Sequence, residues 1–182
     1  LPEDIQALHP ELPADSTVLL KPGANAEGYW KNSDLVTQLK EAALPIFKIL
    51  HPNCDGLFMF DNSQNHRARA PDALSVSNMN LRNGGANQRL MRDGWFIDSQ
   101  GNRFQQKMLM DDGVTSKGLA QVVKERGLWH ARLNVKDAKR LLSQQPDFLE
   151  QREWLEEIIV NAGCLIDFYP KYHCEFNYIE MF

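Results

Sequence analysis

Residues 57–66 read LFMFDNSQNH, and they join the most hydrophobic short run of the chain to a cluster of polar side chains. Leu57 to Phe60 form a continuous apolar run, which is typical of a strand buried on both faces of a sheet. The run stops at Asp61. Because ligands bind beyond the carboxyl ends of strands in open α/β sheets, a carboxylate there is a candidate functional group. An aspartate in this position also commonly caps a turn, so the stretch alone leaves both interpretations open.

The composition is that of an ordinary globular protein. The 182 residues are 43% hydrophobic and 24% charged, enough for one domain with a buried core. No stretch approaches the roughly 18 apolar residues of a membrane span, and the N-terminus lacks the pattern of a secretory signal. We therefore expect a soluble, intracellular protein with no membrane partner. The sequence has three cysteines and no CxxC pair, which predicts reduced thiols.

Charge is distributed unevenly along the chain. The formal net charge is −4, yet the segment from Arg67 to Arg140 carries fourteen Lys or Arg against seven Asp or Glu. A basic segment can follow nucleic-acid phosphates, although charged runs are more often solvated surface. The pattern is thus compatible with a DNA partner without requiring one.

Helical and strand periodicities alternate along the chain after an irregular, proline-rich arm over residues 1–32. Glycines and asparagines are frequent between residues 78 and 101, which indicates loops. Glycines at 127 and 163 are placed to end helices. The order helix, glycine, strand near the end of the chain is typical of an α/β layered fold. The predicted elements are a helix from Ser33 to Leu50, a strand at 57–60, a hairpin pairing 95–97 with 104–108, helices at 116–126 and 147–161, and a strand at 164–169.

A second polar motif follows the last predicted strand and agrees with the first. FDNSQNH at 60–66 resembles the second-aspartate motif of the mariner-type DDE transposases, in which a strand ends in Asp-Asn and a His follows. FYPKYHCEFNYIE at 168–180 resembles their closing motif, in which a strand is followed by Pro, a polar aromatic turn and a terminal Glu. The two motifs occur in the same order and in the same secondary-structure context as in that family.

Further stretches extend the resemblance over most of the chain. They are similar to a eukaryotic branch of the family, the DDE superfamily endonucleases. The stretches are KPGANAEGYW at 21–30, PDALSVSNMNL at 71–81, MRDGW at 91–95 and QPDFLEQ at 145–151.

The resemblance implies a ribonuclease H-like fold, a mixed sheet flanked by helices, in which three acidic residues hold divalent metal. Residue by residue, Asp61 corresponds to the second member of that triad and Glu180 to the third, so both are implied to be catalytic metal ligands. An all-oxygen site suits Mg²⁺, and Mn²⁺ can replace it. The implied chemistry is two-metal phosphoryl transfer, which cuts and joins DNA strands.

Two features of the sequence differ from the family pattern. Asp61 and Glu180 are much farther apart than in the simplest members, so residues of about 75 to 145 are expected to form a long insertion before the last strand. No strand ending in Asp is evident before residue 30, so we predict that the first strand and the first ligand are missing. The chain then represents a single partial catalytic domain over residues 1–182, and whether it is an active enzyme stays open.

The resemblance also suggests supporting residues and a cellular setting. Asn62 and His66 are candidates to support the metal ligands, and a polar-turn histidine is also commonly a simple surface residue. The expected partner is DNA, the expected location is the nucleus, and the full-length protein is a candidate homo-oligomer.

The alternative is a catalytically inactive, nucleic-acid-binding or interaction remnant of a transposable element. A third interpretation is an α/β domain whose carboxylates only cap turns. Candidate phosphate-binding residues are Arg67, Arg69, Arg82, Arg89 and Arg92.

Overall fold

In a computed structural model, the chain is described over residues 1–77, 79–86 and 88–171, and it forms an α/β fold with one small parallel and one small antiparallel sheet. It divides into two compact units. The first contains residues 1–69 together with the chain from 152 onward, and the second contains residues 70–151. The second unit covers the stretch in which the sequence predicts an insertion. Among the described residues, no helix has the length and apolar character required to cross a membrane.

The first unit pairs two parallel strands beside helices. Its elements are α1 at Glu3–Leu8, α2 at Asn32–Gln38, a π-helical segment at Leu39–Ala43, α3 at Leu44–Leu50, β1 at Leu57–Phe60, α7 at Trp154–Asn161 and β4 at Leu165–Phe168. Strand β1 pairs in parallel with β4, and Phe60 lies opposite Phe168. Its buried core contains Val36, Leu39, Leu44, Leu155, Ile159 and Cys164. Helix α1 lies in the arm that the sequence predicts to be irregular, so that prediction is wrong for residues 3–8.

The helix predicted from Ser33 to Leu50 is confirmed with two differences. It begins at Asn32, one residue before Ser33, where the carboxylate of Asp34 accepts the N–H of Lys31 at 2.8 Å. It also passes Pro45 without breaking. Proline has no N–H to bond the preceding turn, and its ring needs space there. The π-helical segment provides a wider turn, in which the N–H of Leu44 bonds to the carbonyl of Leu39, five residues back.

Strand β1 is not buried on both faces, which corrects the sequence prediction. Phe58 and Phe60 pack against the first unit's core, but Leu57 is 57% exposed and Met59 is 44% exposed. Alternate residues of a strand point to opposite faces. In the described residues, the helices therefore cover one face of this pair of strands, and a continuous apolar run could not reveal which face stays open.

The second unit packs an antiparallel hairpin against helices. Its elements are β2 at Gly94–Ile97, β3 at Arg103–Gln106, α4 at Leu119–Glu125, α5 at Val135–Ser143 and α6 at Pro146–Leu149. The predicted hairpin and α4 are confirmed, and Gly127 ends α4 with a φ of +71°. Its core is built from Leu74, Met79, Met108, Leu119, Val122, Val123, Ala138, Leu142 and Phe148.

The single helix predicted from Asp147 to Asn161 is wrong, because the structure contains two helices there, α6 and α7. The N–H of Trp154 donates to the carbonyl of Ala68 instead of continuing a helix, and the side chain of Gln151 accepts from the N–H of Leu74. In a continuous helix the N–H of Trp154 would bond the carbonyl of Glu150, so its bond to Ala68 marks the break between α6 and α7. The sequence also gave no prediction of α5, which buries Ala138 and Leu142 and is otherwise largely polar.

A buried ion pair fixes α6 to the rest of the second unit. Both terminal nitrogens of the Arg126 guanidinium donate to the Asp147 carboxylate, at 2.8 and 2.7 Å. The two side chains are 0% and 1% exposed. Gln106 accepts from the remaining Nε at 2.8 Å, and Trp95 N–H donates to Asp147 at 3.0 Å. The charges are thus surrounded by hydrogen bonds, which buried charges require.

Candidate functional site

The candidate site lies where β1 and β4 end together. Because the strands are parallel and in register at Phe60 and Phe168, their carboxyl ends meet at one edge of the sheet. The N–H of Tyr169 donates to the carbonyl of Phe60 at 2.8 Å, which continues the pairing to the last residue of β1. Asp61 is the next residue. The chain beyond β4, which carries the closing motif, therefore leaves the sheet at the same edge as Asp61.

A tight turn over residues 61–67 holds the carboxylate of Asp61. Its Oδ1 accepts the N–H of Ser63 at 3.0 Å, and Nδ1 of His66 lies 2.6 Å from the same oxygen. The hydroxyl of Ser63 accepts the N–H of His66, and its carbonyl accepts the N–H of Arg67. The aspartate therefore does cap a turn, as one interpretation of the sequence proposed, and it also binds a histidine.

The local bonds keep Asp61 ionised. Partial burial pushes its pKa upward, but hydrogen bonds from Ser63 and the charge and hydrogen bond of His66 outweigh burial and hold the pKa below its ordinary value. The side chain is 40% exposed. Among the described residues, Oδ2 of this carboxylate accepts no hydrogen bond. An ionised carboxylate with one open oxygen has the donor chemistry that a hard divalent cation requires.

His66 is held on two sides. Its ring lies edge-on to Phe60, with centroids 5.4 Å apart, and its Nδ1 bonds Asp61. Since the Asp61 oxygen accepts, Nδ1 must carry a hydrogen, and Nε2 is the other ring nitrogen available to a ligand. The sequence placed His66 in a supporting role, and the structure brings it into direct contact with Asp61.

Glu180, the other predicted ligand, lies outside the described residues. Within the described ranges, no group of three or more His, Cys, Asp or Glu side chains is arranged to hold a metal ion. Asn62 is partly buried beside Asp61 in the chain, and its amide makes no hydrogen bond with the described part of the protein.

The five candidate arginines differ in their surroundings. Arg67 is engaged within the first unit, with its guanidinium 4.4 Å from the centroid of the Phe168 ring and 3.2 Å from Glu153. In the second unit, Arg92 forms an ion pair with Asp72 at 2.6 Å. Arg69, Arg82 and Arg89 are exposed and have no acidic partner among the described residues, so these three are the better candidates for phosphate contacts.

Sequence reasoning missed Asn32. This residue begins α2 and is only 7% exposed, and its Nδ2 donates to the carbonyl of Asn65 at 2.7 Å. Asn65 belongs to the turn that carries Asp61 and His66. In the sequence KNSD, an asparagine looks like an ordinary helix-capping residue, so only its burial reveals that it contacts the turn.

Comparison of the chain with models of protein families, with curated proteins and with solved structures gave no match.

Proposed function

We propose that this chain is part of a ribonuclease H-like DDE domain, derived from a transposase, that acts on DNA by metal-dependent phosphoryl transfer. The observation that supports the proposal is the parallel pairing of β1 with β4. It brings the residue after β1, an ionised aspartate, to the sheet edge from which the chain enters the closing motif. Helix α7, the Gly163 turn and β4 precede that motif in the order such a fold requires.

The residues of the turn have separable roles in this proposal. Asp61 supplies negative charge and an open oxygen for Mg²⁺ or Mn²⁺, and Glu180 supplies the second carboxylate. A divalent cation bound there would stabilise charge on a phosphodiester oxygen and activate a water or a 3′-hydroxyl. His66 orients the carboxylate of Asp61 through Oδ1, so that Oδ2 remains available.

In this proposal, the unpaired arginines contact the DNA backbone. The second unit carries twelve Lys or Arg against nine Asp or Glu, an excess of positive charge in a chain that is acidic as a whole. Arg82 and Arg89 belong to this unit and are exposed. Such side chains bind phosphates without reading sequence, and their contribution weakens as salt rises.

The alternative is a remnant that binds nucleic acid without cutting it. The exposed arginines favour this possibility independently of Asp61, because phosphate contacts need no metal. Binding of DNA without any metal effect would distinguish this protein from a nuclease.

A thermal melt with and without Mg²⁺ tests the proposal. We expect the cation to raise the melting temperature of the wild-type chain and to have a much smaller effect on the double variant Asp61→Ala, Glu180→Ala. Asp55→Ala is the matched control, since Asp55 is an exposed aspartate just before β1. Equal shifts in the wild type and the double variant would refute the ligand assignment. Fluorescence anisotropy with labelled duplex DNA, measured over a range of salt concentrations, then tests the binding function.

A further inference from the structure

The side chain of Asn32 is buried, but only one end of its amide has a partner. Nδ2 donates to the carbonyl of Asn65. Oδ1 is buried without a hydrogen-bond partner among the described residues. The orientation of the amide follows from this contact, because a carbonyl oxygen only accepts and therefore requires the NH₂ group.

The bond from Asn32 reaches the turn from a distant part of the chain. The other hydrogen bonds described above for the turn join residues within it, such as those of Ser63 and His66. Asn32 lies 33 residues before Asn65 and belongs to α2. Asn65 immediately precedes His66, whose ring bonds Asp61. A hydrogen bond at Asn65 therefore fixes the turn, and with it the pair of side chains, relative to α2.

An amide with an unpaired buried oxygen is a poor choice for stability alone. Burying such an oxygen without a partner is unfavourable, and an apolar side chain of similar size avoids that cost. Unlike an apolar side chain, the amide donates a hydrogen bond to the carbonyl of Asn65, the residue next to His66. What Asn32 contributes and an apolar residue would not is therefore a fixed geometry of the turn.

We propose that Asn32 is a positioning residue that holds the Asp61–His66 pair in the geometry required for ligand binding. It acts through the backbone of Asn65 and does not itself contact the reacting groups. The role of the pair as a cation site rests on the proposed function, whereas the geometry of the pair does not, and the two can be tested separately.

The test combines two variants and a matched control in the full chain. Asn32→Ala removes the whole amide, and Asn32→Asp keeps its shape but removes the donor. Gln38→Ala is the control, because Gln38 also lies in α2 and also donates an amide hydrogen to a distant carbonyl, that of Ser16 at 2.6 Å. If Asn32→Ala fails to fold, the isosteric Asn32→Asp provides the same comparison.

The first readout is the ring tautomer of His66, measured from its ¹⁵N chemical shifts without metal at a pH of about 8.5, where an ordinary imidazole is neutral. The wild type should show the tautomer with hydrogen on Nδ1. Both Asn32 variants should show averaging of the two nitrogens, and Gln38→Ala should match the wild type. An unchanged His66 spectrum in the Asn32 variants would overturn the proposal, and so would the same averaging in Gln38→Ala.

The second readout is Mn²⁺ affinity, which separates this inference from the proposed function. Loss of a residue that orients a ligand typically weakens metal binding about 10-fold or more, and we expect this effect for Asn32→Asp as well as Asn32→Ala. If Asn32→Asp instead binds Mn²⁺ more tightly, Asn32 contacts the cation directly and the positioning role is wrong. If the wild type binds no Mn²⁺ but the tautomer responds as expected, the proposed function fails and the positioning role stands.

Discussion

Nδ1 of His66 lies 2.6 Å from Oδ1 of Asp61, the residue that follows β1. The four residues between the two along the chain form a turn closed by Ser63. One carboxylate oxygen is thereby occupied and the other stays open among the described residues. This asymmetry makes the turn a candidate ligand site as well as a structural cap.

Replacing His66 with Ala should raise the pKa of Asp61 toward its ordinary value. The substitution removes the hydrogen bond and the electrostatic interaction with His66, both of which favour the ionised carboxylate, while the bonds from Ser63 remain. The pKa is measured by following the ¹³C shift of the Asp61 carboxyl group during an acid titration. His51→Ala, which removes an exposed histidine of the first unit that does not contact Asp61, should leave the pKa unchanged. A pKa that stays the same or falls in His66→Ala would contradict the described contact.

Removing Asp147 should destabilise the second unit by about 3–5 kcal/mol, because Arg126 would keep a buried charge without its partner. The double replacement of Arg126 by Met and Asp147 by Leu should cost less than the sum of the two single replacements. Urea denaturation of the four proteins gives the free energies of unfolding. Simple additivity of the two single costs would show that the ions do not interact.

The hairpin should not tolerate a side chain at residue 94. A Cβ on Gly94 would collide with Oδ2 of Asp147 and lie 2.9 Å from Cε of Met108, so β2 approaches the ion pair only because residue 94 is glycine. Gly94→Ala should lower the free energy of unfolding by about 1–3 kcal/mol. Gln105→Ala, at an exposed position of the same hairpin, should have little effect in the same denaturation experiment. Equal stability of the two variants would contradict the packing.

Glu125 should make the second unit sensitive to acid. Burial pushes its pKa upward, but hydrogen bonds from Lys117, Gln121 and Gln106 outweigh burial and lower the pKa below its ordinary value. A lowered pKa contributes stability above the unfolded value of about 4.3, and that contribution is lost as pH falls through the folded value.

Glu125→Gln should therefore reduce stability at neutral pH and flatten the decline of unfolding free energy between pH of about 5 and 3. The comparison is Glu150→Gln, which changes an exposed glutamate of the same unit. Parallel pH curves for the wild type and Glu125→Gln would disprove the contribution of Glu125.

Local patterns predicted those elements that depend on nearby residues. The spacing of Leu119, Val122 and Val123 indicated α4, and Gly127 and Gly163 ended their helices with the positive φ that glycine tolerates. The strand ending at Phe60 and the hairpin were predicted for the same reason. Predictions failed where a backbone group found a distant partner, as at Trp154, whose N–H bonds Ala68 and interrupts the helix.

The sequence by itself determined the α/β class and the end of β1 at an aspartate, whereas the candidate roles of Asp61 and His66 were implied by a family resemblance and stay predictions. These features follow from apolar periodicity and from the order of residue types, which are properties of neighbouring positions. Only the tertiary structure decided that β1 pairs in parallel with β4, that one face of β1 is exposed, and that Asn32 holds the turn from α2. These features depend on which residues far apart in the chain become neighbours, and burial and hydrogen bonding between such residues leave no periodic signal in the sequence.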